Sequence, residues 1–126
     1  MIYRDASALV KLIVPEAETN SLRHRLQGAR PVSSALLGVE TLRAVARQAT
    51  QLLSAARSLL NGVDQVAVTP AILAEAQTLP PVELRSLDVI RLATACMLAR
   101  DLDASITYDG RFAAARLRSL EIRSPA

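Results

Sequence analysis

The sequence predicts an α/β fold with a mostly parallel sheet. Short apolar segments at residues 1–4, 63–69 and 103–109 have the composition of strands, and longer stretches with helical spacing of apolar residues separate them. Strands that alternate with helices favour a parallel sheet covered by helices. The 126 residues have the size of one domain, and neither a repeat nor a linker divides them. We therefore expect a single domain over residues 1–126.

In the first half of the chain, each predicted element is bounded by a recognisable start or stop signal. Residues 6–14 continue the first strand as a helix that Pro15 ends. The next helix spans residues 15–29, because acidic residues stand in its first turn, Arg residues follow, and Gly28 ends it. The elements that follow are a strand RPVSS with Ser33 or Ser34 as a helix cap, a helix ALLGVETLRAVARQAT, and a helix QLLSAARSLLNG closed by Asn61–Gly62.

The second half alternates more clearly between strands and helices. Thr69–Pro70 is a typical helix start after the strand VDQVAVT. The helix LDVIRLATACMLARDL is apolar on nearly all sides, which predicts a central position. The other elements are a helix PAILAEAQTL, a loop PPVELRS, a strand DASITYD, a helix GRFAAARLRSL and a last strand EIRS.

The composition excludes several classes of site. Cys96 is the only cysteine, so the chain has neither a disulfide framework nor a cysteine-cluster zinc site. His24 is the only histidine and lies on a polar helix, which argues against histidine-based zinc sites and Ser-His-Asp triads. The N-terminus lacks the features of a signal peptide, and no apolar run reaches membrane-spanning length. We expect a cytoplasmic protein without a membrane partner.

The charge balance leaves the partner open. Fifteen basic residues against twelve acidic ones give a net charge of +3, and all basic residues except Lys11 are Arg. Arg suits bidentate contacts to phosphate, which favours a polyanionic partner. A genome that prefers Arg codons for solvated surfaces explains the same composition.

Four acidic residues stand next to segments that should be buried. Asp5 and Asp109 each end a predicted strand, so they should meet at the carboxyl edge of the sheet. Asp88 begins the central helix, and Glu40 lies on a largely apolar helix face. Four converging carboxylates repel one another unless a cation lies between them. With no His or Cys nearby, these hard oxygen ligands indicate Mg²⁺ or Mn²⁺, as one or two ions.

Each acid also has a purely structural interpretation. Asp5 and Asp88 are suitable helix N-caps. Glu40 can pair with Arg43 three residues later on the same helix. Asp109, followed by Gly110, is typical of a turn. The joint pattern of the four acids, rather than any one of them, favours the metal site.

At these residues the chain resembles the PIN-domain family, specifically the VapC-type toxin ribonucleases of bacterial toxin–antitoxin pairs. The matching stretches are IYRDASALVKL, VETLRA, LRSLDVIRLATA and SITYDGRF, which span residues 2–112 in the order of the family. The resemblance implies a three-layer α/β/α sandwich with a short, mostly parallel sheet of four or five strands. It also implies a metal-dependent endoribonuclease with Asp5, Glu40, Asp88 and Asp109 as catalytic and metal-binding acids.

The resemblance extends to supporting positions. Ser7 and Thr107 match hydroxyl positions that assist the metal or its water, although a serine or threonine bonded to the backbone is an equal alternative. Family members often have His where this chain has Arg91, and we expect this change to leave metal binding intact. Arg4, Arg85, Arg91 and Arg111 lie near the acids in sequence and are candidate phosphate contacts. For each of these four, a solvated or structural arginine is the more common role.

Our mechanistic hypothesis is in-line attack by metal-activated water, which leaves 5′-phosphate and 3′-hydroxyl ends on RNA. With three aromatic residues in the chain, recognition should rest on RNA shape and backbone rather than on base stacking. The resemblance further implies a homodimer and a cognate antitoxin that inserts a segment into the acidic pocket.

Sequence alone leaves two other functions open and disfavours a third. A different metal-dependent phosphoesterase or 5′-nuclease uses the same acids. A non-catalytic nucleic-acid-binding module keeps the fold without the chemistry. A phospho-acceptor receiver domain also places acids at strand ends, but it needs paired acids after the first strand and a late lysine, which this chain lacks.

Overall fold

A computed structural model describes residues 1–109, the backbone of residues 122–123, and residue 125. The strands are β1 (Ile2–Arg4), β2 (Pro31–Ser34), β3 (Asp64–Val66), β4 (Ala104–Ile106) and β5 (Ile122–Arg123). The helices are α1 (Ala6–Ile13), α2 (Thr19–Leu26), α3 (Leu37–Gln48), α4 (Leu53–Asn61), α5 (Pro70–Ala76) and α6 (Ser86–Met97). Short 3-10 turns at Thr50–Leu52 and Ala99–Asp101 precede α4 and follow α6.

The five strands form one parallel sheet in the order β3-β2-β1-β4-β5. The central strand β1 pairs Ile2 with Pro31 on one side and with Ala104 on the other. The predicted α/β class and the mostly parallel sheet are therefore confirmed. Because all strands run the same way, the segments that follow β1 and β4 meet at the same edge of the sheet.

Alternate residues of β1 contact opposite helix layers, as expected for a strand that is buried on both faces. Tyr3 packs in a core cluster with Ile72 of α5 and Leu92 of α6. Ile2 packs on the other side, in a cluster with Ala8 of α1 and residues of α2. A further cluster joins α1 to α3 and α4. The result is the expected three-layer α/β/α arrangement, with α6 against the sheet.

The second helix begins later than we predicted, at Thr19 rather than at residue 15. The Thr19 hydroxyl accepts the Glu16 N–H at 2.8 Å and donates to the Lys11 carbonyl at 2.8 Å. Glu16 and Glu18 both pair with the Lys11 ammonium, at 2.5 and 3.1 Å. Glu16 and Glu18, predicted in the first turn of this helix, thus precede it in a loop that is tied to α1 through Lys11. Gly28, with φ of +74°, follows α2 as predicted.

Other boundaries are close to the predictions. The long helix predicted over residues 87–102 ends at Met97 and continues only as a 3-10 turn. The backbone of Ile122–Arg123 forms the predicted last strand. The predicted helix GRFAAARLRSL lies outside the described residues. Within the described residues, no helix is both long and apolar enough to cross a membrane.

Candidate active site

Asp5 is the buried centre of a polar cluster at the carboxyl edge of the sheet. It follows β1 directly and occupies the N-cap position of α1, yet its side chain makes no capping hydrogen bond. Oδ2 accepts hydrogen bonds from Ser7 Oγ at 2.8 Å and from Thr107 Oγ1 at 2.9 Å. Oδ1 accepts a bond from Arg91 Nη1 at 2.6 Å. Asp5 is therefore the N-cap residue of α1 by position, but the interpretation of its side chain as the helix cap is wrong, because the cluster uses its carboxylate instead.

The two hydroxyls connect Asp5 to the segment after β4. Ser7 Oγ accepts the backbone N–H of Tyr108 at 2.8 Å, and Thr107 Oγ1 accepts that of Asp109 at 3.0 Å. Each hydroxyl thus accepts a hydrogen bond from a backbone N–H and donates one to the same carboxylate oxygen, Asp5 Oδ2. This arrangement makes Ser7 and Thr107 positioning groups for Asp5. Both hydroxyls also bond to the backbone, as the alternative interpretation of these residues predicted.

The other three predicted acids come to the same place from three different elements. Glu40 extends from α3, Asp88 from the first turn of α6, and Asp109 from the segment after β4. Asp88 is not the N-cap of α6, a position that Arg85 occupies, so its cap interpretation is also wrong. The structure therefore brings together all four acids that the sequence analysis had selected.

Arg91 lies between the four carboxylates. Its Nη1 is 2.6 Å from Asp5 Oδ1 and 3.2 Å from Glu40 Oε2. Its Nη2 contacts Asp88 Oδ1 and is 4.0 Å from Asp109 Oδ2. Glu40 thus pairs with Arg91, and no ion pair between Glu40 and Arg43 is found within the described residues.

The burial of this cluster changes its protonation equilibria. Burial alone would lower the pKa of the Arg91 guanidinium, but the charges of Asp5, Glu40 and Asp88 raise it above its ordinary value. The guanidinium therefore stays charged. Burial raises the pKa of the Glu40 carboxyl; the Arg91 charge opposes this rise, and the charges of Asp5, Asp88 and Asp109 add to it.

The cluster opens into a cleft of about 680 Å³. Asp5, Glu40, Arg91 and Asp109 line it, while Asp88 lies beneath them and is 5 % exposed. Three basic side chains also line the cleft away from the acids: Lys11 of α1, and Arg43 and Arg47 of α3. Lys11 is already paired with Glu16 and Glu18. Arg43 and Arg47 are exposed, and no described residue forms an ion pair with either.

Sequence proximity was a poor guide to the arginines of this cleft. Arg4 is buried and faces a different hollow, beside Leu12 and Arg23. Arg85 is exposed at the start of α6 and does not line the cleft. Arg111 lies outside the described residues. Arg91 lines the cleft, but its guanidinium is turned toward the acids.

Helical periodicity would have found the two arginines that were missed. Arg43 and Arg47 follow Glu40 by three and seven residues, so they lie along the same face of α3. That face presents an acid next to the cluster and two cations farther along the cleft. His24, in contrast, is exposed on α2, as the sequence analysis expected.

The donors of the cluster fit a divalent ion in chemical type. Carboxylate oxygens are ligands that Mg²⁺ and Mn²⁺ prefer. Glu40 Oε1 and Asp88 Oδ2 are buried and accept no hydrogen bond from any described residue, which is costly unless a cation approaches them. As the side chains stand, no group of three or more His, Cys, Asp or Glu in the described part of the chain is arranged to hold an ion. The guanidinium of Arg91 lies among the acids instead.

Comparisons with known proteins identify the family of this chain. The family profile described as PIN domain matches residues 2–117. Ribonuclease VapC47 of Mycobacterium tuberculosis is 45% identical over 118 residues, which cover 88% of this chain and 86% of that protein. Ribonuclease VapC46 of the same species is 41% identical over 127 residues, covering 99% and 98%.

A solved structure supports the fold independently of sequence. The crystal structure of Mycobacterium tuberculosis VapC20, described as a sarcin-ricin loop cleaving toxin, superposes with a TM-score of 0.73. It covers 96% of this chain and 99% of that one at 20% identity, so it is evidence for the fold alone. Together with the profile and the curated relatives, it leads to one conclusion: this chain belongs to the PIN-domain family, in the group of the VapC-type ribonucleases.

Proposed function

We propose that the chain is a metal-dependent endoribonuclease, the toxin of a toxin–antitoxin pair, formed by a single PIN domain over residues 1–126. The observation that carries the proposal is the meeting of Asp5, Glu40, Asp88 and Asp109 at one end of an open cleft. The curated relatives, which align over almost the whole chain, bear the name ribonuclease.

The four acids would hold Mg²⁺ or Mn²⁺, as one or two ions. A divalent ion bound there would stabilise the negative charge that develops on the phosphate and lower the pKa of water. Asp5 is positioned for this role by Ser7 and Thr107, which fix one of its oxygens. His24 is not among the residues that line the cleft, so a carboxylate or solvent would have to take the proton released by the attacking water.

The exposed arginines that line the cleft would form a path for the RNA backbone. Arg43 and Arg47 are exposed on one face of α3, with their guanidinium groups available for phosphate oxygens. The acids lie at the α3 end that carries Glu40. A strand that follows α3 would therefore place successive phosphates near the arginines and one phosphate near the acids. Such contacts read backbone and shape rather than base identity.

The same acidic cleft suits the antitoxin that this function requires. An antitoxin segment that carries a basic side chain would pair with the carboxylates and block the RNA path. We further propose a homodimer in the cytoplasm, as the family resemblance implies.

Cleavage of total RNA tests the function. Purified wild-type protein is incubated with Mg²⁺, Mn²⁺ or EDTA beside Asp88→Asn, which removes one acid, and Arg57→Gln, which changes an exposed residue outside the cleft. We expect metal-dependent cleavage by wild type and Arg57→Gln, and none by Asp88→Asn. Equal RNA cleavage by wild type and Asp88→Asn would contradict the proposed ribonuclease activity. Cleavage of DNA or small phosphate esters with RNA left intact would favour another phosphoesterase.

A further inference from the structure

Arg91 holds the acids together from inside the cluster. Its side chain is 9% exposed, and its two terminal nitrogens lie within ion-pair distance of all four carboxylates. We propose that Arg91 is an internal counter-ion: its guanidinium organises the acids before metal binds, and a divalent ion must displace it from Asp5 and Asp88. The inference rests on the proposed function, because the ion concerned is the one that catalysis requires.

The charges explain why such a counter-ion is needed. Four ionised carboxylates carry about −4 in a largely buried site, and their mutual repulsion would drive them apart. One guanidinium reduces this charge and donates several hydrogen bonds in a fixed planar fork. Its Nε also donates to the Leu87 carbonyl at 3.4 Å, one turn earlier on α6, which holds the stem of the side chain. The folded protein can therefore keep its acids close together without a metal.

The contacts explain why metal and guanidinium would compete, contrary to the expectation that Arg91 leaves metal binding intact. Asp5 has no unoccupied oxygen, because Oδ2 accepts from two hydroxyls and Oδ1 accepts from Arg91. Asp5 and Asp88 would be among the residues that hold a divalent ion, and the terminal nitrogens of Arg91 already contact one oxygen of each carboxylate. Removing the guanidinium would release Asp5 Oδ1 and Asp88 Oδ1 beside the two unpartnered oxygens, Glu40 Oε1 and Asp88 Oδ2.

The displaced side chain has a place to go. Arg91 lines the cleft of about 680 Å³ together with Leu87 and Asp109. A change of rotamer could therefore move the guanidinium toward solvent without opening the core. Metal binding then exchanges one cation for another, and the affinity measured for the metal is lowered by the cost of that exchange.

Metal affinity tests the proposal without any reference to activity. We would titrate Mn²⁺ by calorimetry into wild type, Arg91→Gln, Arg91→Lys and the exposed control Arg57→Gln. The glutamine variant should bind Mn²⁺ roughly ten- to a hundredfold more tightly, which corresponds to one charge-assisted hydrogen bond that no longer has to be broken. The lysine variant, which keeps the charge but loses the fork, should lie between it and wild type. Arg57→Gln should match wild type.

Equal or weaker Mn²⁺ binding by Arg91→Gln would overturn the proposal, as would absence of binding in every variant. If Arg91→Gln does not stay folded without metal, its melting temperature is followed against Mn²⁺ concentration. Its rise should exceed that of wild type, because tighter binding stabilises more at the same concentration; an equal rise contradicts the proposal. RNA cleavage by wild type separates this result from the proposed function, since tighter binding without cleavage rejects only the function.

Discussion

Asp5 and Arg91 are 86 positions apart in the chain, yet Asp5 Oδ1 and Arg91 Nη1 lie 2.6 Å apart in a buried ion pair. Asp5 directly follows the central strand β1, and Arg91 belongs to α6, which packs against the sheet. Their contact joins the carboxyl edge of the sheet to α6. It also fixes the point around which Glu40, Asp88 and Asp109 are gathered.

Asp5→Asn should reduce metal-dependent RNA cleavage by at least about a hundredfold, because it removes a charge from the ion site. The amide keeps the shape of the side chain, so the fold should persist. Steady-state cleavage of a defined RNA measures the effect. Asp64→Asn is the matched control, since Asp64 is exposed on β3 and pairs with Arg30 at the surface. A loss of activity in both variants would mean that Asp5 has no special role.

Ser7→Ala and Thr107→Val should each lower kcat/KM or Mn²⁺ affinity by about ten- to a hundredfold. The hydroxyl groups that these variants remove orient Asp5 rather than hold the ion. Both hydroxyls donate to the same oxygen of Asp5, so their effects should not add in the double variant. A double-mutant cycle tests this coupling. Ser54→Ala, at an exposed position of α4, is the control. Strict additivity would show that the two hydroxyls act separately.

Arg43→Gln and Arg47→Gln should weaken RNA binding and reduce its dependence on salt. Each lost phosphate contact lowers the slope of log K against log salt by about 0.7 for single-stranded RNA. Binding is measured in the Asp88→Asn background, where RNA should stay intact. Arg57→Gln removes an equal charge from a position outside the cleft and should leave the slope unchanged. An equal effect of all three variants would indicate only nonspecific attraction by net charge.

Thr19→Val should destabilise the fold by about 1–3 kcal/mol, because it leaves two hydrogen-bonding groups of the α1–α2 loop without their partner. The Thr19 side chain is buried and accepts from Glu16 N while donating to the Lys11 carbonyl. Urea unfolding gives the change in free energy. Thr78→Val changes an exposed threonine and should be nearly neutral. No difference between the two variants would show that the loop does not depend on Thr19.

The position of the acids could be predicted because it follows from topology. Once strands alternate with helices, a parallel sheet places Asp5 and Asp109 at the same edge. The helical period places Glu40 on a largely apolar helix face, and Asp88 begins the apolar central helix. Predicting where these four acids lie required no distances between the helices and strands.

The surroundings of the acids could not be predicted in the same way. The ion pairs of Arg91 depend on how α6 packs in the fold, and from sequence alone several arginines could equally have contacted the acids. Glu16 and Glu18 pair with Lys11 instead of forming the first turn of α2. Local sequence signals do not reveal such contacts between separate elements. Arg4 was misassigned because it precedes Asp5 directly, whereas successive residues of a strand point to opposite faces.

The chemistry of the cut ends tests the central claim most directly. RNA fragments produced by wild-type protein with Mn²⁺ would be ligated to an adaptor that requires a 5′-phosphate, and their 3′ ends would be tested for a free hydroxyl. The acidic site predicts 5′-phosphate and 3′-hydroxyl ends, because water rather than the 2′-hydroxyl attacks the phosphorus. Products that carry a 2′,3′-cyclic phosphate would contradict this account of the site.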